Sequence, residues 1–269
     1  MTLALSGATR LYVIVGDPIA QVKSPGGVSA AFAARGNDAI LVPVQVSVAD
    51  LPAFLDVADR LKNLDGIVVT VPHKFTCFRR CASTTERARF IGAVNIMKRW
   101  PDGGWYGDMV DGVGFLSAVR AKGFEPAGKR ALLVGAGGAG SAIAQALIAS
   151  GVRELALHDA DAARRDALIA RLDTMGAGRV SVGSPDPGGF DFVANATPAG
   201  MQADDPLPID IAKLQATTFV ACVITIPAVT PLIGAARRRG CPTSTGTDMY
   251  QASEGSMLDF LLPSSPVSA

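Results

Sequence analysis

The chain has 269 residues, of which 49% are hydrophobic and 18% are charged, and its formal net charge is +1. This length is enough for one large or two ordinary domains with a substantial core. The near-neutral balance gives no electrostatic reason to expect nucleic acid or an anionic membrane as a partner, so a small-molecule partner is favoured.

The cysteines and the apolar segments indicate whether the chain has a metal site or a membrane span. Cys77 and Cys81 are four residues apart, but with two histidines in the chain and no second close pair beside Cys222 or Cys241, we expect no metal site. Segment 219–229 is too short and too interrupted by proline to span a bilayer. The N-terminus lacks the basic lead-in of a signal peptide. We therefore expect a cytoplasmic protein with reduced thiols, and either a monomer or a homodimer.

Short apolar runs alternate with alanine-rich segments of helical periodicity along most of the chain. Strands are predicted at 11–16, 39–46, 66–71, 131–135, 154–158, 190–196 and 218–224. Helices are predicted at 26–36, 50–63, 74–90, 111–122, 138–150, 161–173, 230–239 and 246–262. The alternation predicts an α/β fold with parallel sheets and right-handed crossovers. A hydrophilic stretch at 98–108 has a hairpin-like Asp-Gly-Gly turn, and we place a domain boundary after it, near residue 111.

The run VVTVPHK (68–74) places a lysine directly after a buried strand. Open α/β sheets bind ligands at the carboxyl ends of their strands, so Lys74 is a candidate for chemistry, although a solvated lysine could also end a strand. Burial among valines would favour the lowered pKa that a lysine base needs. His73 carries less weight, because a lone histidine is more often structural.

A glycine-rich turn follows the strand predicted at 131–135. Gly135, Gly137 and Gly140 satisfy the pattern GxGxxG between a strand and a helix, and Gly138 and Ala139 complete the turn. Such glycines allow a tight turn and a close approach of the backbone to a pyrophosphate at the helix N-terminus. The sequence therefore predicts a dinucleotide-binding domain.

An acidic residue ends the next predicted strand, as this motif requires. Asp159 is placed to accept hydrogen bonds from the ribose hydroxyls and to repel a 2′-phosphate, so the sequence predicts NAD in preference to NADP. Arg164 and Arg165 follow closely and could accommodate a phosphate. A glycine-rich packing turn followed by a capping aspartate is the alternative.

Further polar residues end apolar elements in motifs that occur in a characteristic order. The motifs GDPIAQVKSP, VTVPHK, GAVN, GDMVDGVG, GAGGAG, NATPAGM, TPL and YQA together resemble the shikimate dehydrogenase family. The resemblance implies a two-domain fold, with an open α/β substrate domain at 1–110 and 241–269 and a Rossmann NAD-binding domain at 111–240. It also implies hydride transfer between a nicotinamide cofactor and a ring hydroxyl of shikimate, quinate or a less polar analogue.

Site residues follow from the same resemblance. Lys74 and Asp111 match the catalytic pair, and whether the lysine carries the proton alone or the pair titrates as a unit is left open. An N-cap on the helix that follows is the alternative for Asp111. The implied substrate contacts are Ser24, Thr70, Asn95 and Gln251, with Thr225 as a further candidate. Besides the glycine turn and Asp159, the implied cofactor contacts are Thr197, Val223 and Gly246.

The sequence departs from the family pattern at several polar positions. Apolar or smaller residues occupy five positions that the family uses for substrate or for the turn before Asp111: Val22, Val68, Met109, Val110 and Thr225. Ala160 replaces an arginine that marks NADP use, which again favours NAD. The apolar replacements motivate an alternative hypothesis, in which the protein is a non-catalytic NAD-binding sensor of the same fold.

Overall fold

The computed structural model describes residues 5–202 and 204–262. These residues form two compact units, one from the described parts of Met1–Val110 and Glu254–Ala269, and the other from Asp111–Ser253. Each unit carries its own six-stranded sheet. The predicted α/β class with two domains is confirmed.

The first unit has a mixed sheet with strand order β2-β1-β3-β5-β6-β4. Its first three strands are parallel, whereas β5 is antiparallel to both β3 and β6. The strands are β1 (Arg10–Gly16), β2 (Ala39–Gln45), β3 (Leu64–Val69), β4 (Ser83–Thr84), β5 (Ile96–Arg99) and β6 (Trp105–Asp108). The helices are α1 (Ser24–Ala34), α2 (Leu51–Ala58), α3 (Lys74–Arg80) and α4 (Glu86–Ile91).

The second unit has a parallel sheet with strand order β12-β11-β10-β7-β8-β9. Its central strands are buried along their length, which explains their continuous apolar sequences. The strands are β7 (Arg130–Val134), β8 (Glu154–His158), β9 (Arg179–Val182), β10 (Phe192–Asn195), β11 (Phe219–Cys222) and β12 (Thr243–Ser244). The helices are α5 (Asp111–Ala121), α6 (Gly138–Ala149), α7 (Ala162–Asp173), α8 (Pro231–Arg238) and α9 (Gly246–Leu261), with a 3₁₀ turn at Ile211–Lys213.

The segment predicted as one helix at 74–90 is instead α3, β4 and α4. Helix α3 ends at Arg80, because the backbone of the next residue, Cys81, is extended. Thr85 caps the following helix by accepting a hydrogen bond from the Ala88 N–H at 3.3 Å. Between the two helices, Ser83 and Thr84 pair with β6. The helical pattern of the sequence does not reveal β4, because this two-residue strand forms only through its pairing with β6.

The chain leaves the second unit later than the sequence indicated. The predicted return to the first domain at residue 241 lies at 253–254 in the structure. The reason is β12, which pairs with β11 and so keeps residues 243 and 244 in the second sheet. Helix α9 begins in the second unit and ends in the first.

Strand β2 lies at an edge of the first sheet, and its outward-facing backbone groups are largely occupied. The bonds from Arg10 N–H to Asp38 O and from Val46 N–H to Gly16 O show that even-numbered residues of β2 face β1. The backbone N–H and C=O groups of the odd-numbered residues therefore point away from the sheet, at its open edge. Of these, Leu41 donates its N–H to Ser29 Oγ at 3.0 Å and accepts the Ser29 hydroxyl at 3.4 Å.

The four cysteines are free thiols, and burial raises the pKa of both Cys77 and Cys81 to about 12. Among residues 5–202 and 204–262, no group of three or more His, Cys, Asp or Glu side chains could hold a metal ion. Over the same residues, no helix has the length and apolar character needed to cross a membrane.

Gly66 of β3 marks the place where the end of α9 packs against the first sheet. A Cβ at this position would lie 2.7 Å from Leu261 Cδ2 and 2.7 Å from Tyr12 Cδ1. We expect Gly66→Ala to lower the free energy of unfolding by about 1–3 kcal/mol through overpacking, measured by urea denaturation. Gly255→Ala is the matched control, because its Cβ would meet nothing within 4 Å and the helix would gain about 0.5–1 kcal/mol. Equal effects of the two substitutions would contradict this account.

Candidate functional site

Lys74 lies at the carboxyl end of β3, where the sequence placed it. It is the first residue of α3 and only 8% exposed. Its carbonyl accepts a hydrogen bond from the Val94 N–H at 3.1 Å, which joins the start of α3 to the segment leading into β5. The lysine is therefore held in a buried position beside the end of a parallel strand.

The side chain of His73 makes a hydrogen bond to the backbone, which is a structural contact. Its Nε2 lies 2.7 Å from the carbonyl oxygen of Val46, and the side chain is buried. Because a carbonyl oxygen only accepts, Nε2 carries the hydrogen of this bond.

Asn95, one of the predicted substrate contacts, is buried and held by hydrogen bonds at three of its atoms. Its N–H donates to Asp108 O at 3.0 Å, and its carbonyl accepts from Val69 N–H at 2.7 Å. Its side-chain Oδ1 accepts from Val110 N–H at 2.9 Å. Asn95 follows Val94, so the first unit brings Lys74 and Asn95 to the same end of its sheet.

The other predicted substrate contacts are distributed over both units. In the first unit, Ser24 is the buried first residue of α1, and Thr70 follows β3 with its N–H bonded to Val15 O at 2.9 Å. In the second unit, Thr225 follows β11 and Gln251 lies in α9, while Asp111, the other proposed catalytic residue, is the buried first residue of α5.

At two positions of the glycine turn the fold requires glycine, and at a third the glycine leaves open space beside the backbone. A Cβ on Gly135, which has a φ of +106°, would lie 2.8 Å from the Ala196 carbonyl oxygen, and one on Gly140 would lie 2.0 Å from the Gly135 oxygen. A Cβ on Gly137 would meet nothing within 4 Å. Gly138 and Ala139 are the first residues of α6, Gly137 is its N-cap, and the first N–H groups of a helix have no acceptor within it. The turn thus has the open helix N-terminus that a dinucleotide pyrophosphate requires.

Asp159 is 7% exposed and its two carboxylate oxygens are bound within the protein. Oδ2 accepts the Ala136 N–H of the glycine turn at 2.6 Å, and Oδ1 accepts the Asp161 N–H at 2.8 Å. Oδ1 also lies 2.6 Å from Nη2 of Arg164. Burial acts to raise the pKa of this carboxyl, but the hydrogen bonds from Arg164 and the two N–H groups hold it below its usual value. The aspartate is therefore an ionised clamp on the glycine turn.

Asn195, which the sequence analysis did not select, organises the turn that carries Thr197. Its Oδ1 accepts the Thr197 N–H at 3.0 Å and hydroxyl at 2.7 Å, and its Nδ2 donates to Ala199 O at 3.1 Å. Its own carbonyl accepts the Val223 N–H at 3.0 Å. A polar residue that ends an apolar run, the local pattern noted at Asn95, is equally present at Asn195.

The remaining predicted cofactor contacts lie at the same edge of the second sheet. A Cβ on Gly246 would lie 2.5 Å from the Val223 carbonyl oxygen and 2.3 Å from that of Ile224. Gly246 and Val223 are therefore in direct contact, whereas Thr197 reaches the glycine turn through Gly135, whose Cβ would lie 3.0 Å from Thr197 Cγ2.

We expect the two glycines Gly137 and Gly140 to respond differently to substitution by alanine. Gly140→Ala must displace backbone and should lower the melting temperature, whereas Gly137→Ala should leave it unchanged. Gly137→Ala should nevertheless weaken dinucleotide binding at least about tenfold, because its methyl group would occupy the space left for phosphate. Calorimetry with NADP and thermal denaturation would measure both effects. Wild-type affinity in Gly137→Ala would show that this turn does not hold the phosphates.

Comparison with known proteins identifies the family. Residues 14–97 match the family model described as the shikimate dehydrogenase substrate binding domain. A shikimate dehydrogenase (NADP(+)) of Rubrobacter xylanophilus is 38% identical over 258 residues, which cover 93% of this chain and 90% of that protein. The enzyme of the same name from Citrifermentans bemidjiense is 35% identical over 259 residues, covering 93% and 89%. A quinate dehydrogenase from Corynebacterium glutamicum, solved in complex with NAD, has a TM-score of 0.83 at 29% identity, covering 94% and 93%.

These relatives overturn the predicted preference for NAD, because those from R. xylanophilus and C. bemidjiense are named for NADP(+). The structure gives the physical reason. Selection of NAD by Asp159 requires a free carboxylate facing the ribose, whereas both of its oxygens are bound to Ala136, Asp161 and Arg164. With most of its length matched to these relatives at well over 30% identity, the chain belongs to the shikimate dehydrogenase family of NAD(P)-dependent oxidoreductases.

Proposed function

We propose that this protein is an NADP-linked dehydrogenase that transfers hydride between the cofactor and a ring hydroxyl of shikimate. The observation that carries the proposal is the buried Lys74 at the end of β3, joined through Val94 to the buried amide of Asn95. Both residues lie within the segment that matches the substrate-binding domain of the family.

Lys74 has the chemistry that oxidation of a secondary alcohol requires. The hydroxyl proton must leave as hydride passes from carbon to the nicotinamide ring, and the reverse reaction returns both. A positioned side chain typically contributes about 10²–10⁴-fold to such a proton transfer. As the resemblance implies, we assign the proton transfer to Lys74 and Asp111, and the binding of substrate polar groups to Ser24, Thr70, Asn95, Thr225 and Gln251.

The charges at the end of β8 favour NADP. In dinucleotide-binding folds, the residue ending the second strand meets the ribose 2′ position, and a nearby arginine accommodates a 2′-phosphate. Here Arg164 is held at the Asp159 carboxylate and remains 47% exposed at its side chain. A guanidinium is thus available to phosphate, while the negative charge beside it is already compensated.

The apolar substitutions in the GDMVDG motif are compatible with catalysis. The Met109 N–H is bonded to Asp108 Oδ1 at 2.7 Å and the Val110 N–H to Asn95 Oδ1, so the turn keeps its hydrogen bonds although its side chains are apolar. Both side chains are buried, as is Val68 of β3. Nothing in the described residues or in the relatives favours a non-catalytic sensor.

The proposal is tested by initial rates of oxidation of shikimate and of quinate, each with NADP and with NAD. We expect shikimate with NADP to give the highest kcat/KM. Lys74→Met should lower kcat by about 10²–10⁴-fold while leaving the Kd for NADP within about twofold, because the methionine retains bulk without a titratable proton. Normal turnover by Lys74→Met would exclude the assigned role, and an inactive wild-type enzyme would exclude the proposed substrate.

The cofactor assignment is tested by Arg164→Gln. Loss of a charged hydrogen bond to phosphate should raise the Kd for NADP by about 10–100-fold, with the Kd for NAD changed far less. Arg165→Gln is the matched control, because Arg165 pairs with Asp166 instead of Asp159. An equal loss of affinity for both cofactors in Arg164→Gln would contradict recognition of the 2′-phosphate by this residue.

A further inference from the structure

The turn from 107 to 110, between β6 and α5, is held by side chains from the segment that begins α4. Thr85 donates its N–H to Gly107 O at 3.0 Å and its hydroxyl to Asp108 Oδ1 at 2.5 Å. Arg87 donates through Nε to Asp108 Oδ1 at 2.8 Å and through Nη2 to Oδ2. Asp108 Oδ1 also accepts the Met109 N–H. Both carboxylate oxygens of Asp108 are therefore used in fixing this turn.

Arg87 is the cationic partner of a carboxylate that is almost wholly removed from water. The Asp108 side chain is 3% exposed, whereas that of Arg87 is 37% exposed. The hydrogen bond to Asp108 raises the pKa of Arg87, so the guanidinium stays charged. A fork of two N–H donors matches a carboxylate in a way that a lysine ammonium cannot. The geometry of the turn thus depends on the forked shape of the guanidinium as well as on its positive charge.

The same turn fixes the side chain of Asn95. The Val110 N–H is a donor, so the oxygen end of the Asn95 amide must face it, and the orientation of the amide is determined. The Asn95 N–H is in turn bonded to the carbonyl of Asp108. Displacement of Asp108 would therefore move both the backbone and the side-chain anchor of Asn95.

We propose that Arg87 is a positioning residue for substrate binding, which acts through Asp108 and the 107–110 turn to hold the Asn95 amide in its binding orientation. The inference rests on the proposed function, in which Asn95 contacts the substrate. Arg87 itself is assigned no contact with substrate or cofactor. Substitution of Arg87 should therefore weaken substrate binding and leave cofactor binding unchanged, because the predicted cofactor contacts lie in the second unit.

The test compares Arg87→Lys and Arg87→Met with the wild-type enzyme under conditions in which all three are folded. Arg87→Lys should lower kcat/KM for shikimate by about 10–100-fold, while the Kd for NADP stays within about twofold. Arg87→Met should lower kcat/KM for shikimate further than Arg87→Lys does, because the lysine retains the positive charge. Arg10→Lys is the matched control, because Arg10 makes a similar forked contact with Asp65 at the surface of the same unit. It should retain wild-type kinetics.

A second readout is independent of activity. Amide hydrogen exchange of residues 107–110 should become at least about tenfold faster in Arg87→Lys, with the rest of the first unit unchanged. Unchanged exchange in this turn, or an equal loss of shikimate and NADP binding, would overturn the inference. If the wild-type enzyme failed to oxidise shikimate, the proposed function would fall, whereas the exchange measurement would still decide whether Arg87 holds the turn.

Discussion

Both units depend on one kind of interaction, in which a buried side-chain oxygen accepts backbone N–H groups of a turn at the end of a strand. Where these strands end, the chain turns inside the protein, and N–H groups that water cannot reach require acceptors. Carboxylates and amides provide them here. The acceptors in the first unit are Asn95 and Asp108, and those in the second are Asp159 and Asn195.

This arrangement places polar residues in two roles that are easily confused. A carboxylate that ends a strand can meet a ligand, or it can serve the chain itself, and the two uses compete for the same oxygen lone pairs. Asp159 illustrates the second use, because both of its oxygens accept hydrogen bonds from the glycine turn, the following turn and Arg164. In the proposed cofactor assignment, the contribution of Asp159 is consequently indirect, through the shape of the turn and the position of Arg164.

The sequence predicted the regular parts of the fold well and its tertiary details poorly. The glycine turn, the strand before it and the helix after it depend on neighbouring residues, so local pattern was sufficient. Strands β4 and β12 have two residues each, and their pairing partners are distant in sequence. Asp159 was placed correctly but misinterpreted, because the Ala136 N–H lies 23 residues away. Arg87 and Asp108 were overlooked because each resembles an ordinary surface charge until their contact is seen.

The edge strand β2 has a consequence for how the folded protein meets other chains. Of its outward-facing residues, Leu41 has already given its N–H to Ser29, and Pro43 has none to give. A strand from another molecule would need consecutive donors and acceptors to extend the sheet, and here two successive donors are missing. The uncharged run AILVPVQ is therefore protected against intermolecular β-aggregation by a single serine hydroxyl and a proline, without the charged residues that commonly guard such edges.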